Sequence, residues 1–200
     1  TGSLLRCDLT APACETFAPE LAGAMISAVT VHPIDGSLFI ADSDHGELIR
    51  LSADGSVIAR SNIELPPQPV LRLDSGLLLI NSSSGPGIGV YRYEDNAFGT
   101  QLDEVLLLPG EDDVNELSRV ADFVRNDEYW WVILDKAEET TSGVYRFDAQ
   151  WQFTDRPALI QGTHPLQLAN WGGRTLVRDP AHMAVQRFSS SGTKETPLLS

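Results

Sequence analysis

A chain of 200 residues, 42% hydrophobic and 21% charged, has the composition of a globular protein and the length to bury one core. It contains no run of about 18 apolar residues, which excludes a membrane-spanning helix in this segment. Its net charge of −14, with no clustered lysine or arginine, argues against nucleic acid and anionic lipid as partners.

The acidity itself needs no explanation beyond solubility. Only Lys136 and Lys194 are lysines, and the other basic residues are arginines, a bias that points towards a GC-rich bacterial genome. No basic stretch followed by an apolar one marks a secretory signal. Because the chain opens at Thr1 without methionine, the expectation is a processed product or a piece of a longer protein.

In chain order, residues 4–18 come first, as two short strands around Cys7 and Cys14. Thr10-Ala11-Pro12 between them reads as a turn, so the two sulfurs can face each other across a hairpin. A disulfide there implies an oxidising compartment, periplasmic or secreted; the alternative is a pair of free thiols. The spacing does not fit C-x-x-C metal or redox chemistry.

Four longer units follow, at approximately 26–64, 65–110, 117–162 and 163–200, each read as four strands separated by turns. The first predicts strands at Ala28–Pro33, Ser37–Ala41, Glu47–Ser52 and Ser56–Arg60, with Asp35-Gly36 and Asp54-Gly55 as hairpin turns in which glycine accepts a positive φ. The second predicts Val70–Leu73, Leu77–Asn81, Gly89–Glu94 and Glu104–Leu108, with Ser82–Gly89 as a flexible loop. The third predicts Ala121–Arg125, Tyr129–Leu134, Gly143–Asp148 and Ala158–Ile160. The fourth predicts Leu166–Ala169, Arg174–Arg178, Ala184–Ser189 and Glu195–Leu198. Second strands such as Leu77-Leu78-Leu79-Ile80 are continuously apolar, as strands buried on both faces are. Acidic loops are read at Glu111–Leu117 and Asp135–Thr141, with one helical turn allowed between Asp112 and Arg119.

A short phrase recurs through these units: Leu48-Ile49-Arg50-Leu51, Val90-Tyr91-Arg92-Tyr93, Val144-Tyr145-Arg146-Phe147 and Val185-Gln186-Arg187-Phe188, with an earlier copy at Leu4-Leu5-Arg6-Cys7. The arginines lie 44, 42, 54 and 41 residues apart. They are read as marking the polar side of the pleat. A period of this size built from strands predicts an all-β, β-propeller-like array of about four four-stranded blades plus an N-terminal half blade. Residues 4–18 supply only a third and an outer strand, so an incomplete ring is expected, closed by other sequence or another subunit; a compact irregular ring is the alternative.

Phe39-Ile40-Ala41-Asp42, followed by Glu47-Leu48-Ile49-Arg50-Leu51 and Asp54-Gly55, resembles an NHL-type propeller repeat. The later units keep the frame but match less well, and gluconolactonase-like and strictosidine-synthase-like propellers share the strand spelling. Gluconolactonase-like enzymes place glutamate, asparagine and aspartate around a divalent metal. That resemblance implies calcium ligands at Asn81 and Asp135, although the early glutamate motif and the Asn-Asp-Gly run of those enzymes are missing here.

Asp42, Asn81, Asp135 and Asp179 each end a second strand. Two readings stay open: oxygen ligands on one face, or caps of the following turns. Asp42-x-Asp44-x-Gly46-Glu47 is superficially a calcium loop and equally a hairpin turn. Glu111-Asp112-Asp113 reads as a solvated loop. His32, His45, His164 and His182 show no paired metal spacing. Ser82, Ser83 and Ser84 lack a nucleophile elbow, and Gly85-Pro86-Gly87-Ile88-Gly89 lacks the helix and lysine of a phosphate cradle. The sequence therefore predicts a non-catalytic binding module within a larger extracytoplasmic or membrane-anchored bacterial protein. Its contact residues would be Asp42, Asp44, Asn81, Asp135 and Asp179, and its partners a protein, a second copy or a small molecule. The runner-up is a calcium-dependent lactonase- or esterase-like hydrolase, and a purely structural spacer is the third reading.

Overall fold

The computed structural model describes residues 4–7, 10, 13–94, 97–107, 117–136, 142–159 and 165–199. The acidic cluster at Glu111-Asp112-Asp113, most of the Asp112–Arg119 segment, the loop beyond Lys136, His164, Ala11 and Pro12 lie outside the described residues. Among the described residues there is no α-helix; a 3-10 turn lies at Pro19–Leu21, and strands and turns dominate the rest.

Strands β1 (Leu5–Cys7) and β2 (Cys14–Thr16) pair as a hairpin closed by a Cys7–Cys14 disulfide, with Cys7 opposite Cys14 in the register. Four four-stranded sheets follow, each running in chain order. They are β3–β6 (Ile26–Val31, Leu38–Asp42, Glu47–Leu51, Val57–Asn62), β7–β10 (Leu71–Asp74, Leu77–Asn81, Gly87–Tyr91, Gln101–Leu106), β11–β14 (Leu117–Asn126, Tyr129–Lys136, Ser142–Phe147, Phe153–Asp155) and β15–β18 (Gln167–Trp171, Arg174–Asp179, Ala184–Ser189, Lys194–Leu199). The chain divides into two compact units, residues 1–83 with 89–103, and residues 84–88 with 104–200.

In the first unit, the continuously apolar second strands become the core. Phe39, Ala41 and Leu48 on one face of β3–β6 pack with Leu71, Leu78, Ile80, Tyr91 and Phe98. On the opposite face, Ile40, Ile49 and Leu51 are covered by Ala18, Leu21 and Ala24, with Leu4 and Phe17 partly buried against them. In the second unit, Trp131, Ile133 and Val144 of β11–β14 pack against Leu168, Val177 and Phe188 of β15–β18.

In the first, third and fourth of these sheets the turn between third and fourth strands has one hydrogen-bond pattern, whereas the second sheet closes a longer connection through Arg92, Gly99 and Thr100. In Ser52–Ser56, Asp148–Gln152 and Ser189–Thr193, the first residue's N–H donates to the fifth residue's carbonyl at 2.9 Å, and the fourth residue's N–H donates back to the first at 3.0 Å. The fourth position is left-handed: Gly55 has φ 95° and Gly192 has φ 86°, whereas the third sheet places Trp151 there at φ 61°. Its strain is offset by stacking on the buried Trp130, 4.5 Å between ring centroids. With the turn at 148–152, the fourth strand of this sheet is β14 rather than the expected Ala158–Ile160; Ala158 and Leu159 are not strand, and Ile160 lies outside the described residues.

The recurring arginines are not uniformly on a solvated side of the pleat. Arg50 donates from Nη1 to the Tyr93 carbonyl (3.1 Å) and from Nη2 to Asp35 (3.3 Å), over the rings of Phe39 and Tyr93. Buried Arg146 makes a bidentate pair with Asp155 (2.6 and 2.7 Å), donates to the Ser190 carbonyl (2.7 Å) and lies over Tyr129 and Trp131. Each arginine thus ties its own sheet to a carbonyl about one repeat further along. Arg6, paired with Glu15, and Arg92, 3.8 Å from Glu94, are the exposed members that fit the original reading.

Candidate functional site

The turn from β4 to β5 brings a carboxylate and an imidazole together. Asp42, almost wholly buried, accepts from the Met25 N–H (3.1 Å) and the Asp44 N–H (3.2 Å) through Oδ1. Its Oδ2 accepts from His45 Nδ1–H at 2.7 Å. Burial of Asp42 would raise its carboxyl, but the His45 hydrogen bond and charge and the two backbone N–H groups outweigh it and hold it below the ordinary value. His45 moves the opposite way. Its hydrogen bond to Asp42 and that carboxylate's charge raise it, with smaller contributions from Glu47 and Asp44.

Around this pair lies a cleft of ≈ 370 Å³, floored by Leu21–Ala24 and ringed by Glu20, Asp42, His45, Glu47 and Arg60. Glu47 stands opposite Asp42 in the β4–β5 register and pairs with Arg60 at 2.6 Å across to β6. With Asp42 and Glu47 both satisfied inside the protein, His45 and the exposed Glu20 are the ionisable groups left facing an occupant, and Gly23, at φ 98° with open space at its Cβ position, keeps one wall bare. Sequence reasoning singled out Asp42 but missed His45, Glu47, Arg60 and Glu20.

The other candidates are placed as follows. Asp44 is exposed, and its backbone caps Asp42. Asn81 accepts from the Val70 N–H (2.7 Å) and donates to the Gln68 carbonyl (3.1 Å), tying the entry of β7 to the end of β8. Asp135 accepts from Arg119 (2.6 Å) and from the Ser142 hydroxyl (2.7 Å) on the two strands flanking its own. Fully buried Asp179 accepts from His182 Nδ1–H (2.6 Å), the His182 N–H (3.3 Å) and Gln186 (3.1 Å). Asp-x-x-His therefore occurs at the same turn of the first and last sheets. Asn81 and Asp135 belong to different units and are both committed to protein partners. Among the described residues no three His, Cys, Asp or Glu side chains come together as a metal-binding group.

These sheets and their order define an all-β protein of the β-propeller type. Solved structures similar to the chain include a streptogramin B lyase (14% identity, TM-score 0.67, covering 96% of this chain and 60% of that one). The β-propeller domain of Cps50 (Swd1) from Myceliophteria thermophila is similar as well (16%, TM-score 0.61, 93% and 62%), as is a protein described as a candidate gluconolactonase (16%, TM-score 0.59, 82% and 59%). No family model and no curated protein matches the sequence. At these identities the likeness concerns the fold, and the chain spans about 60% of the length of these structures.

Proposed function

We propose that this chain is a non-catalytic binding module of an extracytoplasmic protein, taking a polar ligand or a partner's polar loop into the cleft at the β4–β5 turn. The observation that carries the reading is the cleft itself, where Asp42–His45 and Glu47–Arg60 are held by strand register on a rigid sheet. Rigid sheets that fix the ends of loops are how such scaffolds present binding groups. The disulfide-closed hairpin supports an oxidising compartment, and no helix among the described residues is long and apolar enough to cross a membrane.

One observation favours a second reading, a hydrolase. His45 is held at Nδ1 by a carboxylate and has no described partner at its other ring nitrogen, an arrangement suited to general-base chemistry. The experiment is isothermal titration of monosaccharides, amino acids and dipeptides into the wild-type chain and the Arg60→Ala and His45→Ala variants, alongside turnover assays with simple lactones and aryl esters with and without calcium. Saturable binding lost in both variants supports the binding module. Turnover lost in His45→Ala replaces it with the hydrolase. Binding indifferent to both substitutions, or none at all, overturns the assignment of the cleft.

A further inference from the structure

Away from the cleft, the first unit holds a second group of ionisable side chains, where the β3–β4 turn meets the segment after β9. Asp35 is fixed by its own turn. Its Oδ1 accepts from the Ser37 N–H at 2.9 Å, and this bond is the main reason its carboxyl is lowered to about 2. The same oxygen lies 2.8 Å from His32 Nδ1. An ionised carboxylate only accepts, so in the neutral imidazole Nδ1 carries the proton and Nε2 is left as the acceptor. The Tyr93 hydroxyl lies 3.4 Å from Nε2 and donates to it.

The neighbours hold this line of groups in place. Phe39 meets the Tyr93 ring edge-on, 5.4 Å between centroids. Arg50 reaches from β5 to the Tyr93 carbonyl (3.1 Å) and to Asp35 Oδ2 (3.3 Å), with its guanidinium 5.8 Å from the centre of the Tyr93 ring. A hydroxyl, a ring nitrogen able to take its proton and a carboxylate that orients the ring are the three parts of an activated nucleophile. The 3.4 Å contact is long, as such contacts commonly are before a substrate is bound. Arg50 puts positive charge beside the ring on which negative charge develops as the proton leaves. Tyr129 is a comparison within the same chain. It too is half-buried and lies under an arginine, Arg146 at 4.6 Å, but among the described residues no histidine meets its hydroxyl.

We propose that Tyr93 is a nucleophilic tyrosine that accepts an acyl group from an activated ester or thioester, with His32 as its general base and Asp35 as the residue that positions His32. Tyr93 Oη attacks the carbonyl carbon while its proton passes to His32 Nε2. The tetrahedral intermediate expels the aryloxide or thiolate, which takes that proton from Nε2–H, leaving O-acyl-Tyr93 and a neutral His32. The donor class follows from the leaving group. A phenol, which ordinarily titrates at about 10, is acylated favourably by donors whose leaving group is more acidic, such as a thiol at about 8.5, and not by alkyl esters. The site is separate from the cleft and is one of covalent modification, a single transfer rather than turnover.

The test is treatment with 4-nitrophenyl acetate, followed by peptide mass spectrometry of acetyl-tyrosine in wild type, Tyr93→Phe and His32→Gln, each checked for native folding by circular dichroism. In wild type, Tyr93 is acetylated about 100-fold faster than Tyr129, the lower end of what a general base supplies. Its rate levels off once the imidazole is neutral, whereas that of Tyr129 keeps rising with pH towards the ionisation of the phenol; a histidine that only packs would not produce this difference. Tyr93→Phe, which keeps the ring against Phe39, removes one equivalent of fast nitrophenolate release. His32→Gln lowers Tyr93 acetylation to the Tyr129 rate. Equal rates at Tyr93 and Tyr129 in wild type overturn the proposal whether or not the His32 variant folds, and so does Tyr93 acetylation indifferent to His32→Gln in the folded variant. The His32–Tyr93 contact would then serve only to fasten the second sheet to the first. None of these readouts depends on the titration that tests the cleft.

Discussion

Arg146 gives the sharpest test of how the repeated arginines hold the fold. Arg146→Ala removes a bidentate pair to Asp155, a hydrogen bond to the Ser190 carbonyl and the guanidinium over Tyr129 and Trp131. A hydrogen bond involving a charged group contributes roughly 1.5–3 kcal/mol, and a desolvated cation–π contact roughly 1–2 kcal/mol. Asp155 is half-exposed and will be rehydrated once its partner goes, which puts the cost below the roughly 3–5 kcal/mol of breaking a fully buried pair. A loss of about 3 kcal/mol is expected. Arg174→Ala is the control: its Nε meets Glu195 at 2.9 Å, but the side chain is largely exposed and Glu195 keeps Arg187, so the expected loss is below about 1 kcal/mol. All four tryptophans lie in the second unit, so tryptophan fluorescence during urea unfolding reports on the unit that contains both arginines. With a slope of about 2 kcal/mol per molar urea, Arg146→Ala should lower the midpoint by roughly 1.5 M, and Arg146→Lys by an intermediate amount. Equal midpoints for the Arg146→Ala and Arg174→Ala variants would refute the assignment of Arg146 as an inter-sheet fastener.

The remaining expectations concern the turns, the site pair and the hairpin. Trp151→Gly relieves a left-handed tryptophan but loses its stacking on Trp130, for a net loss of about 1 kcal/mol. Met183→Gly, at φ 49° and 89% exposed with no such stacking, leaves stability unchanged or raises it by up to about 1 kcal/mol; urea titrations of both variants check the contrast. His45 is raised above 6.5 and Asp42 lowered below 3.8, so the pair's contribution is complete between these values. It fades as pH rises through the raised histidine value, and fades again as pH falls through the lowered carboxyl value. A pH series of urea midpoints should show this plateau in wild type, and His45→Gln should flatten its alkaline edge. Removing the disulfide with Cys7→Ser and Cys14→Ser opens a short loop, a cost of about 2.5 kcal/mol in the chain-entropy account. It should appear as faster hydrogen exchange at residues 13–24, and unchanged protection there would refute it.

The strands that could be read from sequence are those whose burial pattern and turn residues agree. Leu77–Asn81 and Ala184–Ser189 are found at their expected bounds, and β5 differs from expectation by one residue. The outer strand of the third sheet was illegible because its turn spells Trp151 where its equivalents spell Gly55 and Gly192, so the glycine that announces a left-handed position is absent. The arginine period was visible but its meaning was not. Burial of Arg146 depends on Asp155 and on a carbonyl 44 residues away, neither of which a strand pattern encodes. At the site, Asp42 stood out as a strand-ending carboxylate, and recurrence of Asp-x-x-His at 42–45 and 179–182 was a signal that could have exposed both histidines. Glu20 and Arg60 enter from a 3-10 turn and an outer strand, and no local spacing links them to Asp42.

That recurrence also separates the turn from the cleft. Asp179–His182 repeats Asp42–His45 in geometry, with Nδ1–H to carboxylate distances of 2.6 and 2.7 Å and a left-handed residue, Met183 or Gly46, directly after the histidine. The pair by itself is therefore a device for closing this turn, through side-chain capping of backbone N–H groups. What the last sheet lacks is the surround: the position opposite Asp179 is Ala184, where the position opposite Asp42 is Glu47, which brings Arg60 with it. If the cleft is the binding site, His45→Ala and His182→Ala will cost similar stability, while only His45→Ala abolishes ligand binding. Equal effects of the two on binding would mean that the aspartate–histidine pairs serve the turns alone, and the proposed site would lose its central residue.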